Sequence, residues 1–166
     1  DGWTLAIDLG TSNTAAAVMV SGRALRLDFD SGQGSMPSVV WIDDAGSIQV
    51  GRRALDQFRI APDRLLLEPK SKLEQSRVSL GDNTYAVSTL VAGILSDIVA
   101  EACRQNQGKP AKVVLTHPAD WGRVREDALI DAARAAGIEE PVLVEEPHAA
   151  AAHLAVDLPP GSRIAV

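Results

Sequence analysis

Apolar and polar positions along the chain fall into runs of two kinds, with periods of strand and of helix. Residues 3–10, WTLAIDLG, form a β-prone apolar run that breaks at Gly10 into the polar loop Thr11-Ser12-Asn13. Residues 14–20, TAAAVMV, resume as a second strand and end at Ser21-Gly22-Arg23. Strand, short polar turn and strand predict a hairpin. A second hairpin is predicted over 38–51, SVVWIDDAGSIQVG, with Asp43-Asp44-Ala45-Gly46 as its turn. A short helix over 51–60 follows, stopped by Pro62, and then residues 63–84 show no clean period and predict an irregular excursion.

The second part of the chain alternates. Residues 88–108 predict a long helix, with Leu90, Val91, Ile94, Leu95, Ile98 and Ala102 on one stripe and Gly108 past its end. Residues 111–118, AKVVLTHP, predict a buried strand stopped by Pro118, and 120–138 an amphipathic helix ended at Gly137. A strand over 141–147, PVLVEEP, and a helix over 148–156, HAAAAHLAV, complete the pattern. Antiparallel strands followed by strand–helix alternation predict an α/β chain: a mixed sheet with helices packed over it. There is no internal repeat.

Composition narrows the classes. At 166 residues, with 46% apolar and 23% charged residues, the chain suits one globular domain. Its net charge of −6 and its longest basic cluster, Arg52-Arg53, exclude a phosphate-neutralising nucleic-acid face. Apolar runs stop well short of the roughly 18 residues of a membrane span, so no membrane partner is expected. The single cysteine, Cys103, lies in the apolar helical stretch and is expected to be a buried structural thiol. A cytoplasmic setting is the expectation. The three tryptophans, Trp3, Trp41 and Trp121, are widely spaced and read as packing or interface groups.

Candidate chemistry begins at IDLGTSNT, residues 7–14. Asp8 sits in the first strand's apolar run, where an isolated buried acid would be costly. Gly10 allows a tight turn, and Thr11, Ser12 and Asn13 present backbone amides that can hold phosphate without a lysine. Asp8 beside them would face the cation accompanying that phosphate, most simply Mg2+ held through waters. This is neither a Gly-Lys-Ser/Thr phosphate loop nor a Gly-x-Gly-x-x-Gly dinucleotide turn. A second acidic feature, Glu145-Glu146-Pro147, opens the alanine run 149–152. Neighbours on an extended strand point to opposite faces, so the two glutamates do not form an acid/base pair. The histidines, His117, His148 and His153, have no metal-ligand spacing around them.

These stretches together resemble the 70-kilodalton heat-shock chaperones of the DnaK type, within the actin, sugar-kinase and chaperone ATPase superfamily. AIDLGTSNTAAAV is similar to that family's first phosphate-binding hairpin, and SMPSVVWIDDAGSIQVGRRALDQF to its second hairpin. AKVVLTHPADW with REDALIDAARAAGI resembles its strand, turn and Ala-Gly-terminated helix, and VLVEEPHAAAAHL the segment that links its two lobes. The resemblance implies a ribonuclease-H-like, actin-like ATPase lobe over 1–166, with 21–112 as a less regular insertion subdomain.

It also implies roles. Asp8 would hold Mg2+ through water, and Gly10, Thr11, Ser12 and Asn13 would bind the phosphates of ATP or ADP. LEPKSKLEQ resembles the family's segment carrying a water-positioning lysine, which makes Lys70 the candidate and Lys72 the alternate. Glu146, before its proline, matches the catalytic glutamate, while Glu145 is expected to serve only helix N-terminal electrostatics. Pro118 matches a switch proline, with Arg125 as its arginine partner. His148 stands where the family has threonine, and His117 where it usually has valine. The implied partners are a second lobe of the same ATPase domain, co-chaperones and a substrate-binding domain. Because the chain lacks an initiator Met and ends on a strand start at 161–166, it is expected to be part of a longer protein. Alone it should bind ATP weakly and hydrolyse it hardly at all; ATPase activity is expected of the full-length protein. Two other readings stay open: an actin-like or sugar-kinase-type ATPase, and a nucleotide-sensing scaffold with little turnover.

Overall fold

The first hairpin forms where its pattern predicts. In the computed structural model, which describes residues 2–29, 32–106 and 108–154, β1 (Thr4–Leu9) runs antiparallel to β2 (Asn13–Val20). Thr4 lies opposite Met19, and Leu9 opposite Thr14. The strand alternation sends Leu5, Ile7 and Leu9 into the core and leaves Ala6 and Asp8 on the open face. Asp8 is therefore not a buried acid, and the desolvation penalty suggested by its apolar neighbours does not arise.

Around this hairpin a mixed sheet assembles, as the element order predicts. β10 (Lys112–His117) lies parallel to β1, and β11 (Pro141–Glu145) parallel to β10. On the other side β3 (Arg23–Arg26) and β4 (Ser35–Pro37) both pair antiparallel with β2. The sheet is covered by α2 (Val87–Asn106), whose stripe Leu90, Val91, Ile94, Leu95, Ile98 and Ala102 is fully buried. These side chains share one core with Leu5, Ile7 and Leu9, and with Leu129, Ala132 and Ala133 of α3 (Arg123–Ala135). Each buried leucine or isoleucine there contributes about 1.5–3 kcal/mol, which is what holds helices and sheet together. Trp3 is in this core, and Cys103 is half-buried against it rather than fully enclosed.

Residues 39–67 build a second, smaller sheet. β5 (Val39–Ile42) pairs with β6 (Ile48–Val50), the predicted second hairpin, and with β7 (Leu65–Leu67). α1 (Gly51–Asp56) ends in a 3-10 turn over Gln57–Arg59. Trp41 packs with Val39 and Ala54, and its indole N–H donates to the Ala61 carbonyl at 3.1 Å.

The excursion at 63–84 is more ordered than its sequence suggests. It contains β7, a 3-10 turn over Pro69–Lys72, and a hairpin of β8 (Arg77–Leu80) with β9 (Asn83–Ala86). Gly81, at φ +56°, makes the two-residue turn of that hairpin. The apolar alternation is faint because Arg77, Ser79, Asn83 and Thr84 all face solvent. Helix starts also shift. α3 begins at Arg123 rather than 120 because residues 118–121 form a turn, the Trp121 amide donating to the Pro118 carbonyl at 3.2 Å. α4 (Glu146–Leu154) begins at Glu146 rather than His148, with Pro147 in its first turn, where a missing N–H costs nothing. The end of the helix predicted over 148–156 and the strand start at 161–166 lie outside the described residues. Among the described residues no helix is long and apolar enough to cross a membrane.

Candidate functional site

Three parallel strands end together, and the candidate residues gather at their carboxyl ends. Ile7 is level with Leu115, Thr116 with Val144 and His117 with Glu145. Asp8, Thr116 and the Glu145–Glu146 junction therefore share one edge, the edge where open α/β sheets bind ligands. Asp8 Oδ1 accepts a hydrogen bond from the Thr116 hydroxyl at 2.6 Å, which fixes the exposed carboxylate next to the β1–β2 loop.

That loop is held in a narrow shape. A Cβ at Gly10 would lie 2.1 Å from the Asn13 carbonyl oxygen, so only glycine allows this closure. Thr11, Ser12 and Asn13 are exposed. Ser38 braces the loop from beneath. Its hydroxyl donates to the Gly10 carbonyl at 2.8 Å and lies 2.8 Å from the Thr14 hydroxyl, while its amide donates to the Ser12 carbonyl at 2.9 Å. Ser38 and Thr14 are both fully buried.

The third polar group of Ser38, its carbonyl, accepts from the Glu68 amide at 3.2 Å. Glu68 sits in the left-handed region, at φ 52° and ψ 52°, and turns the chain so that Pro69 and Lys70 point inward. Its carbonyl accepts from the Ser71 amide and hydroxyl, at 3.0 and 2.8 Å. Ser38 thus ties the polar hairpin loop to the lysine segment. Lys70 is only 5% exposed, and its ammonium donates to Glu146 Oε1 at 2.6 Å across 76 residues of sequence. Glu146 is 40% exposed, so the burden of desolvation falls on the lysine. The expected alternate, Lys72, is half-buried; Lys70 is the lysine that reaches the glutamate.

The remaining candidates surround this pair. Trp121 lies below Lys70, whose Nζ is 5.4 Å from the ring centroid. Arg125 has its guanidinium carbon 5.9 Å from the same ring and pairs with Glu74 at 2.5 Å. Pro118 accepts through its carbonyl from the Trp121 amide, with His117 Nδ1 3.0 Å away. His117 is buried, its ring 6.1 Å from that of Trp121. Glu145 pairs with His148, Oε2 to Nδ1 at 3.0 Å, and takes no part in the lysine contact. The two glutamates separate because they straddle a strand-to-helix junction, not because they alternate along one strand. Ser38, Glu68 and the role of Trp121 are not evident from the sequence. The Pro37-Ser38 dipeptide was the only local signal for the first, since the other contacts join distant segments.

A nucleotide and Mg2+ can be weighed against these donors. The loop has the closed backbone and exposed short polar side chains that a phosphate needs, and Asp8 has the second carboxylate oxygen free of the Thr116 bond. Among the described residues no three of His, Cys, Asp and Glu converge as a metal cage. The exposed Asp8 carboxylate fits Mg2+, which it would hold through water beside a bound phosphate.

The mixed sheet, its opening hairpin loop and the helices over it define the actin-like ATPase class of fold. A family model described as MreB/Mbl protein matches residues 2–166, and the chain belongs to that family. Curated relatives include proteins called "Chaperone protein DnaK" from two strains of Halobacterium salinarum, each 33% identical over 155 residues. The match covers 92% of this chain and 24% of each relative, so the chain spans about a quarter of the length of the curated relatives it matches.

Proposed function

We propose that this chain is the first lobe of an ATP-hydrolysing domain and contributes the phosphate loop and the catalytic pair for Mg2+-dependent ATP hydrolysis. The observation that carries the reading is the Lys70–Glu146 contact, formed from distant segments beside a phosphate-type hairpin loop. Phosphoryl transfer is mainly positioning and charge neutralisation. Gly10, Thr11, Ser12 and Asn13 bind the terminal phosphates through amides and hydroxyls. Asp8 would hold Mg2+ through water, and the ion would supply neutralisation of phosphate charge. Lys70 and Glu146 orient the attacking water, the carboxylate accepting from it and the ammonium offsetting negative charge. Pro118 and Arg125, on the turn and helix beside the pair, relay the state of the site outward. ATP binding then closes this lobe on a second lobe of the same domain.

The name of the DnaK relatives supports a chaperone setting; in that setting the protein would be cytoplasmic, with co-chaperones and a substrate-binding domain as partners and with neither nucleic acid nor membrane. The match to the MreB/Mbl model over nearly the whole chain favours a second setting, an actin-like ATPase without a peptide-binding domain. Both use the same nucleotide site. ATP-dependent release of an unfolded peptide by the full-length protein separates them.

The test of the shared reading is single-turnover ATP hydrolysis by the full-length protein, with Lys70→Ala and Glu146→Ala beside wild type. A loss of roughly a hundredfold in rate, with ATP affinity little changed, is expected for each. Equal rates in all three would reject the assignment and leave a nucleotide-sensing module.

A further inference from the structure

We propose that Trp121 is a positioning residue for Lys70: its indole face holds the ammonium against Glu146. A single hydrogen bond to Glu146 Oε1 fixes a distance but leaves the flexible lysine free to pivot about it. The indole supplies the second constraint. At 5.4 Å from the centroid, Nζ lies within the roughly 6 Å reach of a cation–π contact, and its 5% exposure removes most of the water that would compete.

The indole itself is held on several sides. Arg125 lies 5.9 Å from its centroid and is anchored to Glu74, four residues past the lysine. The His117 ring is tilted 35° to it at 6.1 Å, and the Trp121 amide closes the turn onto Pro118. Trp121 thus joins the lysine segment to the loop before α3, and a shift of either moves the ammonium. A tryptophan used only for packing would need no cation on its face; here two lie within 6 Å. That the tether serves turnover rests on the ATPase reading above, whereas the tether itself does not.

The test combines amine acetylation with kinetics on full-length Trp121→Phe and Trp121→Leu. Phenylalanine keeps a π face, and leucine keeps apolar bulk without one. Trp121 is half-buried in a turn, so both variants are expected to fold, as a thermal melt will verify. Exposed Lys109 and Lys112 serve as internal standards in the mass-spectrometric mapping of acetylated lysines. Acetylation of Lys70 should rise roughly fivefold in Trp121→Leu and by less than about twofold in Trp121→Phe, with the standards unchanged. In parallel, kcat should fall in the leucine variant while the KM for ATP holds. Unchanged Lys70 acetylation in Trp121→Leu would overturn the proposal. So would an equal rise in both variants, because bulk and not the π face would then be responsible. If acetylation follows the expected pattern but Lys70→Ala turns over ATP as fast as wild type, the tether stands and the ATPase reading fails.

Discussion

The polar hairpin loop at 10–14 and the lysine segment at 68–72 form two walls of one site, yet they are specified in opposite ways. The loop is local. Two strands in register and a close approach at Gly10 shape it, and its functional side chains stay exposed. The lysine segment is shaped from afar. It leans on the Ser38 carbonyl, on Glu146 and on Trp121, and its key side chain is buried. Under the proposed function, the locally shaped half would accept phosphate, and the other half would depend on the rest of the lobe being in place. The proposed coupling of hydrolysis to shape would act through that second half.

The largest effect should come from breaking the local wall. Gly10→Ala drives a methyl group into the Asn13 carbonyl, so the loop must open. ATP affinity of the full-length protein, measured by calorimetry, should drop by at least about tenfold, or 1.4 kcal/mol, while Lys70 acetylation stays low. Ser38→Ala strikes the brace between the walls. It leaves the Gly10 carbonyl and the Thr14 hydroxyl without a buried partner, for an expected loss of about 1–3 kcal/mol in denaturant unfolding. Retention of full stability would mean that the two walls are independent. Glu68→Gly is the smallest change and the only one expected to help. Glycine relieves the left-handed strain, set against greater unfolded-state freedom, for a net gain of about 0.5 kcal/mol in thermal unfolding. A loss above about 1 kcal/mol would show that the exposed Glu68 side chain holds the segment.

The same contrast decides what could be seen in the sequence. The hairpin 3–20, the α2 stripe from Leu90 to Ala102 and the strands at 112–117 and 141–145 are legible because periodicity and their neighbours in sequence determine them. β3, Arg23-Ala24-Leu25-Arg26, shows no apolar alternation, all four residues being exposed, and the β8–β9 hairpin announces itself only through Gly81-Asp82. Lys70 and Glu146 stood out through family likeness, but nothing within a few residues of either predicts that they touch. Trp121 read as packing because a cation on an aromatic face is set by tertiary approach and leaves no local pattern. The helix start at Glu146, two residues early, follows from Pro147 fitting the first turn, which a strand-to-helix reading at the proline misses.

The central claim is that Lys70 and Glu146 act as one unit on the water that attacks ATP. A double-mutant cycle in single-turnover hydrolysis measures this directly, using Lys70→Ala, Glu146→Ala and the pair in the full-length protein. If the residues work together, the double variant will be no slower than the slower single variant. Losses that multiply would show that the two side chains act independently, and the contact between them would then be structural only.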